Sequence, residues 1–144
     1  MAILEDGHST LITLENLPNI ELCEKTVKPP GISGGGSNDL TSMKNNEWRT
    51  FAAKKLKTLT EASATVFYDP IVYESGRLPA QINVNQKITV TFSDGSKVEF
   101  YGWLDTFEPD DVEEGAPPEA TVTFIPSNRN LAGDEIAPLY IPAP

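Results

Sequence analysis

QKITVTFSDGSKVEFYGWLDTF, residues 86–107, reads as two β-strands joined by a tight turn. Ile88, Val90 and Phe92 alternate with Thr89 and Thr91, the two-residue period of a strand with one buried face. After Ser93-Asp94-Gly95 the alternation resumes at Val98 and Phe100. Turn length sets the register, and register decides which side chains share a face. A two-residue Asp94-Gly95 loop would put Val90 opposite Glu99 and Phe92 opposite Lys97, which brings charge onto the apolar face. A three-residue loop pairs Val90 with Val98 and Ile88 with Phe100, and leaves Thr89 opposite Glu99 outside. It also sets Gly95 at the left-handed third position, which glycine occupies without steric cost. The three-residue loop is therefore expected. Around Gly102 the second strand becomes apolar on both sides, with Tyr101, Trp103 and Phe107 on one face and Phe100 and Leu104 on the other. A strand covering a single core needs one such face, so a second cover is expected from the same chain or from another subunit.

Composition narrows the surroundings of this hairpin. A chain of 144 residues is one domain by length, large enough to bury a sizeable core. Ten glycines, twelve prolines and a hydrophobic fraction of 39% suit a turn-rich β-protein better than a helical bundle. The net charge of −10 argues against general affinity for nucleic acid, because phosphate binding relies on lysine and arginine displacing counterions. A single cysteine, Cys23, permits no intrachain disulfide and fits a reducing compartment. The sequence has no signal-peptide pattern and no apolar run of membrane-spanning length, so a soluble protein made in a cytoplasm is expected.

Upstream, residues 1–8 carry little apolar pattern and read as an arm. Residues 9–15 and 20–28 read as a pair of strands across a turn, stopped by Pro29-Pro30-Gly31. Gly34-Gly35-Gly36 lacks both the Gly-Lys-Ser/Thr of a phosphate loop and the spacing of a dinucleotide fingerprint, so it reads as a bend. Residues 44–57, KNNEWRTFAAKKLK, hold five of the eleven bases (Lys44, Arg49, Lys54, Lys55, Lys57) against one acid, Glu47, with Trp48, Phe51 and Leu56 interleaved. Their periodicity fits neither helix nor strand, which makes this a long loop. Three uses are open for it: stacking on nucleic acid, a solvated basic face whose aromatics fold onto the protein's own core, or contact with an acidic partner surface.

Residues 58–68, rich in threonine, valine and aromatics, read as a strand. Asp69-Pro70 offers a helix cap and first residue, so a short α-helix is expected over 70–78 before Pro79 ends it. Downstream of the hairpin, residues 105–119 contain seven acids and no base. Glu108, Asp110, Asp111, Glu113 and Glu114 are the oxygen donors a hard cation would use, but their spacing is not that of an EF-hand, and a solvated acidic loop is the alternative. Residues 119–126 return to a strand with Ala120, Val122 and Phe124 on one face, and 135–144 read as an extended tail punctuated by Pro138, Pro142 and Pro144. Catalytic chemistry finds little footing. The only histidine, His8, lies on the arm, Cys23 has no histidine beside it in sequence, and no His/Cys ligand pattern for a metal exists.

The order of these segments resembles the major tail tube proteins of long-tailed bacteriophages. The likeness runs through LEDGHSTLITL, IELCEKTVKPPGISGG, WRTFAAKKLKTLTEASATVFYDPIVY, INVNQKITVTFSDGSKVEFYGWLDTF and ATVTFIPSNRN, in that order and without one short signature. The resemblance implies a mainly β fold, an antiparallel β-sandwich or barrel-like tail tube domain with one short flanking α-helix, a long loop and extended terminal arms. It implies six copies per ring, rings stacked into a hollow tube for the genome, no enzyme activity and no cofactor. It also implies the tape measure protein, tail terminator and baseplate proteins as partners, DNA passing through the lumen without specific binding, no membrane, and residence in the virion after synthesis in the bacterial cytoplasm. With the sequence read as far as Pro144, a single domain is expected, without the additional immunoglobulin-like domain of one branch of that family.

Head-to-tail stacking needs two different complementary surfaces on each copy. The basic segment 44–57 and the acidic segment 105–119 are the candidates. Lys44, Trp48, Arg49, Phe51, Lys54, Lys55, Tyr101 and Trp103 are the expected inter-subunit contacts, with Trp48 and Phe51 as buried anchors. Glu108, Asp110, Asp111, Glu113 and Glu114 are the expected acidic contacts, or acids lining a lumen along which DNA slides. The alternative is a monomeric β-sandwich binding module for glycan or peptide, with Tyr101 and Trp103 as an exposed platform. A hydrolase built on the acids ranks last, since they crowd a proline-bounded loop.

Overall fold

In the computed structural model, residues 10–17, 24–68, 70 and 77–144 are described, and their regular secondary structure is almost entirely β. The strands are β1 (Leu11–Leu14), β2 (Glu24–Lys28), β3 (Ile32–Ser33), β4 (Ser37–Asp39), β5 (Phe51–Ala53), β6 (Thr58–Leu59), β7 (Ala62–Phe67), β8 (Gln86–Thr91), β9 (Lys97–Pro109), β10 (Glu119–Pro126) and β11 (Leu139–Ile141). Seven of them form one antiparallel sheet in the order β1-β8-β9-β10-β7-β2, with β11 on the same side of β9 as β10 but paired to Lys97–Glu99. The sheet rolls until its two edges meet without a closing ladder: the Ile12 N–H on β1 donates to Glu24 Oε1 on β2 at 3.1 Å. The result is the expected antiparallel, barrel-like fold, left open along one seam. The arm 1–8, His8 and Cys23 lie outside the described residues.

The β8–β9 turn has the three-residue form. Val90 pairs with Val98, Ile88 with Phe100 and Thr89 with Glu99, while Phe92 N–H donates to Ser96 O at 2.9 Å across the loop. Gly95 takes φ +91°, the left-handed conformation this loop demands. Ser96 caps the turn by donating to Asp94 Oδ1 from Oγ at 2.6 Å and from its N–H at 2.9 Å. These two bonds, the hydroxyl's first, hold the Asp94 carboxyl below its ordinary value of 3.8. A depressed carboxylate stabilises the fold above its unfolded pKa and ceases to do so as pH falls through the lower folded-state value. The Asp94→Ala variant is accordingly expected to melt below wild type near neutral pH, and the gap to close as pH drops below about 3.8. A gap of constant size down to the acid limit would assign the effect to packing instead.

Inside the roll, Ile12 and Leu14 of β1, Ala62, Ala64 and Val66 of β7, Ile88 and Val90 of β8, Phe100, Leu104 and Phe107 of β9, and Ala120, Val122 and Phe124 of β10 form one buried cluster. Leu78 closes it from a 3₁₀ turn, Leu78–Gln81. The α-helix expected over 70–78 falls mostly outside the described residues; Leu78, its last residue, begins the 3₁₀ turn instead, with Pro79 at the position where a missing N–H costs nothing. Buried Gln86 joins this turn to the end of β1, accepting from Asn16 N–H at 3.0 Å and donating to Gln81 Oε1 at 3.2 Å.

One face assignment needs correction. Phe107 was expected beside Tyr101 and Trp103, yet it packs in the core with Phe100 and Leu104. On β10, Thr123 pairs with Thr106 and Phe124 with Leu104, so Asp105 is an extra residue in β9. This β-bulge shifts the alternation by one and turns Phe107 inward.

A second correction concerns 44–57, expected as a loop. Phe51–Ala53 pairs with Ser37–Asp39, and Thr58–Leu59 pairs with Ile32–Ser33. The register of β2 on β7 runs through Thr60 N–H donating to Gly31 O at 2.7 Å and into the β3–β6 pair. Residues 29–61 are therefore one long β-hairpin extending the β2–β7 pair beyond the body, with 44–57 covering part of its tip and its return arm. The Gly34-Gly35-Gly36 bend lies on its outgoing arm, opposite 54–57, where the pairing shifts by one residue. Sequence periodicity missed β3, β4 and β5 because neither of their faces is buried.

Candidate functional site

Strand direction fixes where the two charged segments lie. β7 runs from the hairpin toward Phe67, and β10, antiparallel to it, starts at Glu119 beside Phe67 and ends beside Ala62. The hairpin 29–61 thus leaves one end of the sheet, and the acidic β9–β10 connection, 110–118, closes the opposite end.

The hairpin tip is held by its own polar groups. Asn45 Nδ2 donates to Trp48 O at 2.8 Å and Thr50 Oγ1 at 2.6 Å, Leu40 N–H donates to Thr50 O at 2.8 Å, and Arg49 meets Asp39 Oδ2 at 3.3 Å across the strands. The Asp39 carboxyl sits below its usual range, first because Thr41 hydrogen-bonds to it and lastly because Arg49 does. With the polar groups turned inward on each other, the apolar ones face out. Trp48 is 81% exposed, Phe51 54%, Leu56 81% and Ile32 71%. Trp48 and Phe51 do not fold onto the protein's own core. Lys44, Lys54 and Lys55 are likewise exposed. A protein surface seldom leaves so many large apolar side chains in water on one slender element unless something covers them.

Tyr101 and Trp103 sit apart from this group, on the outer face of β9. Both are half-buried, and Trp103 stands opposite Ile125 of β10. At half burial they do not make a projecting platform. Glu108, Asp110, Asp111, Glu113 and Glu114 are all exposed, on a connection anchored at its base by Asp110 N–H to Glu119 O at 2.8 Å and Tyr68 N–H to Pro118 O at 2.9 Å. Among the described residues no group of three or more His, Cys, Asp or Glu side chains is arranged to hold a metal ion. No helix among them is long and apolar enough to cross a membrane.

Sequence reasoning passed over three features. Met43, fully exposed at the tip, carries no signal among its polar neighbours. Val112, 74% exposed, did carry one: it is a lone β-branched residue in a run of acids. The third is a cavity of about 410 Å³ at the hairpin root, between Ile32, Lys55, Leu56 and Lys57 on one side and Asn128, Ile136 and Pro138 on the other. Asn128 Oδ1, buried there, has no hydrogen-bond partner among the described residues.

No family model matches the chain, and no curated protein matches it by sequence. Solved structures do match by shape. A chain in the virion of a native gene transfer agent particle superposes with a TM-score of 0.59 at 11% identity, over 96% of this chain and 99% of that one. A chain in the sixfold-symmetrised baseplate of the anti-feeding prophage gives 0.62 at 10% identity, over 98% and 97%. A chain from the tail of an empty gene transfer agent particle, refined with C6 symmetry, gives 0.55 at 11% identity, over 85% and 94%. The fold is that of tail and baseplate subunits. In the first two the likeness extends over nearly the whole of both chains.

Proposed function

We propose that the chain is a structural, non-enzymatic virion protein that stacks as sixfold rings into a phage-type tail tube, through which DNA is delivered. The observation that carries this reading is the placement of a basic, aromatic, outward-facing hairpin at one end of the sheet and an acidic connection at the other. Such a copy is complementary to itself head to tail, which generates open stacks. The sixfold symmetry of the similar tail and baseplate chains supports six copies per ring. The net charge of −10 favours a lumen that repels DNA and lets it slide without specific binding. A tape measure protein inside such a tube, with terminator and baseplate proteins at its ends, completes the set of partners, and the protein resides in the tail after synthesis in the bacterial cytoplasm.

Negative-stain microscopy of the purified protein over a concentration series tests this directly: hollow tubes or stacked rings are expected. Reversing Lys54 and Lys55 to glutamate is expected to raise the assembly threshold at least about tenfold, equivalent to ~1.4 kcal/mol per contact, while leaving the circular dichroism and melting profile unchanged. Normal tubes from that variant would remove charge attraction from the role of the hairpin.

A further inference from the structure

We propose that the cavity at the hairpin root is the seat for the acidic β9–β10 connection of a second copy, with Val112 of that copy held between Ile32, Leu56 and Ile136. This deepens the stacked-ring reading and rests on it. The cavity, about 410 Å³, is more than twice the ~150 Å³ that suffices to hold a benzene-sized apolar group, so it takes a valine side chain with part of the flanking main chain. Its charged lining is two lysines, Lys55 and Lys57, against one acid, Glu135. The incoming loop brings Asp110 and Asp111 before Val112 and Glu113 and Glu114 after it. An apolar tip flanked by carboxylates thus meets an apolar seat edged by ammonium groups. The two surfaces lie at opposite ends of the sheet, where a translated copy can join them without rearranging the roll. The contact is separate from the hairpin tip and uses other residues.

Disulfide trapping tests the pairing, since a disulfide requires Cα atoms within about 7 Å. In a Cys23→Ser background, Val112→Cys combined with Ile136→Cys is expected to give a ladder of covalent multimers when assemblies are oxidised. Val112→Cys combined with Met43→Cys, at the tip, is expected to give less than about a tenth of that yield. A ladder from the tip pair and none from the cavity pair would overturn the inference and leave stacked rings standing. Complementary charge reversal covers the case in which the cysteines hinder assembly. Lys55→Glu/Lys57→Glu protein and Glu113→Lys/Glu114→Lys protein are each expected to need about tenfold higher concentration to assemble alone, and an equimolar mixture to assemble within about threefold of the parent. A mixture no better than its components would overturn the seat. Failure of the parent protein to assemble at any concentration would overturn the ring reading and this inference together.

Discussion

Replacing Gly102 with alanine is expected to destabilise the fold by about 3 kcal/mol or more, at the upper end of what overpacking costs. A Cβ at this position would lie 2.4 Å from Ile125 O, 3.0 Å from Pro126 Cα and 3.1 Å from Ile125 C. All three are backbone atoms, so no rotamer change relieves the clash. Relief requires the end of β10 to move away from β9. That movement stretches the 2.8 Å bond from Ser127 N–H to Tyr101 O and shifts the register in which Pro126 faces Gly102. Gly34→Ala is the matched control, because a Cβ there meets nothing within 4 Å. It is expected to change stability by no more than about 0.5 kcal/mol. Urea denaturation of the two variants measures the contrast. A Gly102→Ala loss below about 1 kcal/mol would mean that the end of β10 yields easily, and the close approach would then be incidental.

Trp48→Ala is expected to behave in the opposite way, sparing the monomer and disabling assembly. At 81% exposure the indole packs little against its own chain, and its removal should alter monomer stability by less than about 0.5 kcal/mol. Buried against a neighbouring copy, the same indole becomes the kind of anchor whose loss costs 2 kcal/mol or more, about a thirtyfold rise in the concentration needed for assembly. Light scattering against concentration, beside a thermal melt of the dilute protein, separates the two quantities. An unchanged assembly threshold would show that the exposed tryptophan is not a contact. A lowered melting temperature would show that it supports the hairpin from within.

How much of this was legible in the sequence follows from what each segment buries. The β8–β9 turn and its pairing over 86–102 were readable to the residue because one face is core: a wrong turn length would have placed Glu99 and Lys97 opposite Val90 and Phe92. Strand 119–126 was readable for the same reason, through Ala120, Val122 and Phe124. The inward turn of Phe107 was not, because the bulge at Asp105 exists only in relation to β10. Strands β3, β4 and β5 were hidden because a ladder exposed on both faces imposes no alternation on its side chains. The candidate contacts were recognised by residue type at 44–57 and 108–114. Their placement at opposite ends depends on strand order, which local pattern does not encode, and the cavity at the hairpin root brings together residues eighty positions apart, such as Leu56 and Ile136.

The seam where β1 meets β2 bears on a hazard common to abundant β-proteins, uncontrolled sideways aggregation through unpaired strand edges. Here the Ile12 N–H on the edge of β1 is occupied by the Glu24 carboxylate, and β1 is only four residues long. β11 is shorter still and lies between Pro138 and Pro142, neither of which offers an N–H to an arriving strand. The exposed ladder of the hairpin is likewise broken into pieces of two and three residues. The described strands thus present few templates for amyloid-like pairing. Under the proposed stacking, growth would then be directed along one axis, by the chemistry of the two ends.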